Sequence, residues 1–289
     1  MKKILFKGCG TAISTPFNER GVNFQEFSRL IEEQIKEGVD SIIVCGTTGE
    51  SATMTEEERL QTIECAVKTA NGRVPIIAGT GSNNTRAVIE MNKKVEQLGV
   101  DGLLIVTPYY NKTTQKGLIE HYKIIAKNTK LPIILYNVPS RTGVNILPET
   151  CLELSKIENI VAIKEASGDL SQIALTANLC RENLSIYSGN DDQIIPILSL
   201  GGIGVISVLS NIKPRYTHDM CFQFFNGKIK EATKMQIDAI PLIKALFSEV
   251  NPIPVKAALN MIGYDYGIPR LPLIEMTEQG KERLKKLLQ

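Results

Sequence analysis

Short apolar runs alternate along this chain with longer stretches whose apolar positions recur every three to four residues. The runs cover residues 10–15, 41–45, 74–78, 102–106, 132–136, 160–164, 184–188 and 204–207. Most are rich in isoleucine and valine and show little polar alternation, as expected of strands buried on both faces. The intervening helical patterns include residues 24–37, 55–70, 85–98, 115–128 and 171–180. Thr55 stands before Glu56, Glu57 and Glu58, a capping box with acids in the first turn. Gly38, Gly72 and Gly99 each follow a helical run, where a helix is ended by a left-handed residue. Eight strands alternating with helices predict a parallel sheet, and their near-regular spacing predicts a closed (β/α)8 TIM barrel. No Gly-x-Gly-x-x-Gly follows the first strand, which argues against a dinucleotide fold.

The strand pattern ends near Asn211. Residues 216–225, 229–247, 255–261 and 277–288 read as helices, with Asn251-Pro252-Ile253-Pro254 separating the second from the third. The expected organisation is a barrel over 1–224, carrying the active site, and a C-terminal helical extension over 225–289. The 43% apolar fraction supports a large core, and a net charge of +2 with mixed signs gives no case for nucleic acid or an anionic membrane. Lys281, Arg283, Lys285 and Lys286 read as a solvated face near the end of the last helix. The basic N-terminus lacks the apolar core of a signal peptide, and no run approaches the ~18 apolar residues of a membrane span. A cytoplasmic protein is expected. The six cysteines form no Cys-x-x-Cys pair and the only histidines are His121 and His218, so reduced, buried thiols are expected and no metal or cofactor.

Active sites of such barrels lie at the carboxyl ends of the strands. There the sequence places Gly46-Thr47-Thr48-Gly49-Glu50-Ser51, Thr107-Pro108-Tyr109-Tyr110-Asn111, Tyr136-Asn137-Val138-Pro139-Ser140-Arg141, Lys164 and Ser188-Gly189-Asn190-Asp191-Asp192. Most lysines at strand ends simply meet water. Strand alternation, however, puts Lys164 on one face with Ala162 and Ile160, and Tyr136 on one face with Ile134. If both faces point inward, Lys164 and Tyr136 sit on adjacent strands at one level. An amine that gives up its proton near neutral pH attacks carbonyls, and a phenol beside it transfers protons. The glycines and hydroxyls of the 46–51 loop suit a carboxylate, as does Arg141. Together these residues suit covalent chemistry on a keto acid: imine, then enamine, then attack on an aldehyde. A phosphate-binding barrel finds support only in Gly201-Gly202-Ile203-Gly204, which precedes the last strand and reads better as a helix stop.

Gly46-Thr47-Thr48-Gly49-Glu50, the segment from Tyr136 to Gly143, and Ile163-Lys164-Glu165-Ala166 together resemble the dihydrodipicolinate synthase family. That family is part of the pyruvate-dependent class I aldolases that include N-acetylneuraminate lyase. The resemblance runs from Gly10 to Arg270-Leu271-Pro272-Leu273. It implies condensation of pyruvate with L-aspartate 4-semialdehyde, the first committed step toward diaminopimelate and lysine. It implies that Lys164 forms the Schiff base, that Tyr136, Thr47 and Tyr110 relay protons, and that Tyr110 reaches a neighbouring subunit. Thr48 would hold the pyruvate carboxylate and Arg141 the carboxylate of the aldehyde, with Gly189 and Ile206 lining the pocket. A homotetramer built as a dimer of dimers is implied as well. Neuraminate lyases resemble Gly-Ser-Thr-Gly-Glu in the first loop and lack the arginine, so Thr47-Thr48 and Arg141 favour the synthase over a lyase acting on a sugar or 2-keto-3-deoxy acid. Members inhibited by lysine carry two histidines and a glutamate where this chain has Glu56, Arg59 and Ala87, although Ser51, Asn83 and Tyr109 remain. Weak or absent inhibition by lysine is expected.

Overall fold

The computed structural model describes residues 2–288. Eight parallel strands close into a barrel: β1 (Gly8–Ala12), β2 (Ser41–Val44), β3 (Ile76–Gly79), β4 (Gly102–Val106), β5 (Ile133–Asn137), β6 (Ile160–Glu165), β7 (Ser185–Ser188) and β8 (Gly204–Ser207). Each pairs with the next in sequence, and β8 returns to β1 with Ile206 opposite Gly10. The helices are α1 (Phe24–Lys36), α2 (Glu56–Ala70), α3 (Thr85–Gln97), α4 (Gln115–Lys127), α5 (Pro139–Thr142), α6 (Pro148–Leu154), α7 (Leu170–Cys180), α8 (Ile194–Ser199), α9 (Pro214–Phe225), α10 (Ile229–Leu246), α11 (Ile253–Met261) and α12 (Glu278–Leu288). The expected TIM barrel is thus the observed one. No helix among the described residues is long and apolar enough to cross a membrane.

Strand alternation divides the apolar residues into two cores. Leu104, Ile134, Tyr136, Ala162, Tyr187 and Ile206 belong to the cluster that fills the barrel. The opposite faces of the strands join the inward stripes of the helices in a larger outer cluster. That outer cluster continues without a break into Ala232, Leu246, Leu259 and Leu284, so α10–α12 share the core of the barrel's helical layer. The capping box is present at α2: Thr55 Oγ1 accepts from the Glu58 N–H at 3.1 Å, and the Glu58 carboxylate accepts from the Thr55 N–H at 2.9 Å. Gly38, Gly72 and Gly99 take the left-handed backbone a helix stop requires, and Gly201 does the same after α8. All six thiols are free, five of them buried and Cys65 half-buried.

Several sequence expectations need correction, among them the third strand, which spans Ile76–Gly79 and not 74–78. β1 spans Gly8–Ala12, not 10–15: Gly204 lets the two strands pair from Gly8, so closely that an added Cβ there would lie 2.2 Å from the Gly8 carbonyl oxygen. Cys45 lies just past β2 with φ at 56°, a turn residue and not a strand residue. Lys164 and Ala162 share the inward face as expected, but Ile160 does not. β6 carries one extra residue, with Ile133 opposite Ile160 and Ile134 opposite Ala162, so Val161 joins the barrel interior and Ile160 the outer core. Finally, α5 and a hairpin of Phe17–Asn18 with Gly21–Val22 are too short to leave a periodic signal.

Candidate active site

Lys164 is the next-to-last residue of β6 and only 5% exposed. Tyr136 is its partner across the β5–β6 pair, and the Lys164 Nζ lies 4.3 Å from the centroid of the Tyr136 ring. Ala162, the small inward residue below, leaves the lysine its room. The outward neighbours fix the level of the two. Asn137 Nδ2 donates to both carboxylate oxygens of Glu165 at 3.1 Å, and Asn137 Oδ1 accepts from the Ile146 N–H at 3.0 Å. Glu165 also accepts from the Ser167 N–H at 2.8 Å. Burial pushes the Glu165 carboxyl up, and these hydrogen bonds oppose that rise.

The loop after β2 turns sharply through Cys45 and Glu50, both at φ 56°. The Glu50 N–H donates to the Thr47 carbonyl at 3.1 Å, and Thr15 Oγ1 donates to the Gly49 carbonyl at 2.8 Å. Asn251, between α10 and α11, donates through Nδ2 to Thr48 Oγ1 at 3.0 Å. Its carbonyl accepts from Arg141 Nη2 at 3.2 Å, while its own Oδ1 is buried without a partner. Thr47, Tyr136, Arg141 and Asn251 line one cavity of about 360 Å³ at the carboxyl ends of the strands. A larger cleft of about 660 Å³ lies against α1 and α9, and none of the candidate residues lines it.

The model of the dihydrodipicolinate synthetase family matches residues 5–289. The chain belongs to this family. It is 56% identical over 285 residues to the 4-hydroxy-tetrahydrodipicolinate synthase of Clostridium novyi, covering 99% of this chain and 96% of that one. It is 58% identical over 285 residues to the enzyme of the same name from Caldicellulosiruptor bescii, covering 98% and 96%. The crystal structure of dihydrodipicolinate synthase from Thermotoga maritima superposes with a TM-score of 0.97 at 44% identity, covering 99% of this chain and 98% of that one. As a member of the dihydrodipicolinate synthetase family, the chain is an aldolase-type lyase at the entry to lysine and diaminopimelate synthesis.

Thr47, Tyr136 and Arg141 line the cavity; Lys164, Thr48, Gly189 and Ile206 do not, Lys164 standing against the Tyr136 ring and Thr48 being tied in through Asn251. Ile206 lies inside the barrel with Tyr136. Gly189 donates its N–H to the Glu165 carbonyl at 2.7 Å, and a Cβ there would come within 2.7 Å of the Ala166 Cβ. A glycine therefore lets β7 approach the strand end that carries Lys164. Tyr110 stands apart: it is 90% exposed, at φ 69°, and does not line the cavity of its own chain. Asn251 was missed from sequence, where Asn251-Pro252 reads only as a helix break. The buried Lys256 was missed too, although a charge within the apolar run Val255-Lys256-Ala257-Ala258-Leu259 was its signal.

Proposed function

We propose that Lys164 carries, on this chain, the condensation of pyruvate with L-aspartate 4-semialdehyde to 4-hydroxy-tetrahydrodipicolinate. The observation that carries the reading is the burial of the Lys164 amine against Tyr136 at the carboxyl ends of adjacent strands. The unprotonated amine adds to the keto carbon of pyruvate, and water leaves to give an imine. Loss of a methyl proton yields the enamine. Its terminal carbon attacks the aldehyde, and the new alkoxide takes a proton. The amino group of the second substrate then adds to the imine carbon, closes the ring and releases the Lys164 amine. The Tyr136 hydroxyl, with Thr47, moves the protons of these steps. Thr48 holds the pyruvate carboxylate, and Arg141 at the cavity wall pairs with the carboxylate of the aldehyde. Gly189 contributes backbone and Ile206 an apolar wall.

The exposed Tyr110 suits insertion into the site of a second copy, completing its relay, within a homotetramer arranged as a dimer of dimers. Residues 225–289 act as an extension of the barrel over 1–224. Inhibition by lysine is expected to be weak or absent. Glu56 is engaged by Lys94, Arg59 Nη2 donates to the Gly79 carbonyl at 3.0 Å, and Ala87 offers no carboxylate to an effector's amine. Half-maximal inhibition by L-lysine below millimolar concentration contradicts this.

Borohydride reduction in the presence of pyruvate, followed by peptide mapping, tests the central claim. The adduct is expected on Lys164 and should vanish in Lys164→Ala. An intact protein that gains no mass rules out the covalent mechanism.

A further inference from the structure

Two side chains beyond the barrel, Lys256 and Arg270, reach back to the 46–53 loop. Lys256, on α11, is fully buried, and its Nζ donates to Glu50 Oε1 at 2.7 Å and to the Ile268 carbonyl at 3.3 Å. The Arg270 N–H donates to the other Glu50 oxygen at 3.0 Å. The Arg270 guanidinium forks onto Glu58 at 2.8 and 2.6 Å and donates to the Thr53 carbonyl at 3.2 Å. Phe17 lies between the two cations, with Lys256 Nζ 4.2 Å and the Arg270 guanidinium carbon 4.1 Å from its ring centroid.

Neither the pair nor the backbone under it is what stability alone favours. A buried ion pair is often no better for the fold than apolar residues of like volume, because desolvation offsets the attraction. A non-glycine residue in the left-handed region is also disfavoured, and Glu50 sits at φ 56°, ψ 33°. Glycine relieves that strain but lacks the carboxylate. Both costly features meet at the residue whose N–H fixes the Thr47 carbonyl. We propose that Glu50, Lys256 and Arg270 are positioning residues: they tether the C-terminal extension to the loop and hold Thr47 and Thr48 at the working distance from Lys164 and Tyr136. The inference rests on the roles given above to Thr47 and Thr48. The extension then bears on the active site in two ways: Asn251 lines the cavity directly, while Lys256 and Arg270 act through the loop.

The test counts active sites by borohydride trapping of pyruvate and reports kcat for each trapped site. The double variant Glu50→Gln/Lys256→Met removes both charges and keeps an acceptor for the Arg270 N–H. It should melt near the parent temperature, lose about tenfold or more in kcat per trapped site, and show a raised KM for pyruvate. A merely structural pair changes the melting temperature or the number of trapped sites and leaves kcat per site alone. Should the double variant fail to fold, the half-buried Arg270→Gln variant decides by the same readout, with a severalfold fall expected. Unchanged kcat per site in whichever variant folds overturns the proposal. Thr47→Val separates the two readings. If it retains full kcat, the assignment of Thr47 has failed. If it loses kcat while the tether variants do not, only the positioning role has failed.

Discussion

On its proposed role, Arg141 should separate recognition of the aldehyde from formation of the imine, because Arg141 lines the cavity while Lys164 is buried against the Tyr136 ring. Charge-assisted hydrogen bonds contribute about 1.5–3 kcal/mol. Arg141→Ala is therefore expected to lower kcat/KM for aspartate semialdehyde by roughly 10- to 100-fold, leaving borohydride trapping of pyruvate intact. Steady-state kinetics with each substrate varied in turn read this out, and an equal loss for pyruvate contradicts it. At this scale the sequence was informative wherever alternation holds. Tyr136 and Ile134 share the inward face, and Tyr136 pairs with Lys164, as residue counting requires. Counting failed at Ile160, because an inserted residue in a strand shifts the parity below it and leaves no compositional trace.

At the scale of elements, a side chain reinforces the backbone ladder that closes the barrel between β1 and β8. Asn211 Oδ1 accepts from the Ser14 N–H at 3.0 Å, and its Nδ2 donates to the carbonyls of Ala12 at 2.9 Å and Val208 at 3.0 Å. The end of β1 is thereby bound to the turn after β8, at the place where the strand pattern stops in the sequence. Asn211→Ala takes this partner from the Ser14 N–H and the Ala12 carbonyl, at roughly 1–3 kcal/mol for each, while the Val208 carbonyl keeps the backbone N–H of residue 211 at 3.1 Å. A loss of about 3 kcal/mol in unfolding free energy is expected in urea titration, and a loss below about 1 kcal/mol shows that the closure holds without Asn211. Helix ends were legible because their signals are local: Thr55 with Glu58, and the glycines after α1, α2 and α3. α5 was not legible, since four residues opened by Pro139 make a single turn with no period.

At the scale of the molecule, stability should depend on pH through His121. The ring lies between α3 and α4, with Nδ1 2.8 Å from Thr85 Oγ1 and Nε2 buried without a partner. Burial holds the imidazole down at about 4, against an ordinary 6.5. Above 6.5 both folded and unfolded chains carry it neutral. Between 6.5 and about 4 only the unfolded chain takes the proton, so stability falls with pH, and below about 4 the loss levels off. The full effect is about 3 kcal/mol. Unfolding free energies at pH 7 and 4.5 should show this slope in the parent and a shallower one in His121→Asn. Equal slopes would assign the acid sensitivity to other groups.

The sequence by itself determined the eightfold alternation, the capped and glycine-stopped helices, and the chemistry present at strand ends. These follow from local periodicity and from residue type, which any window of the chain displays. Only the tertiary structure decided which of those strand-end groups share a cavity, that Asn251 bridges Thr48 and Arg141, and that Lys256 reaches Glu50. Each of those contacts joins residues more than a hundred positions apart. Closure of the barrel and docking of the extension bring them together, and no local pattern encodes that meeting.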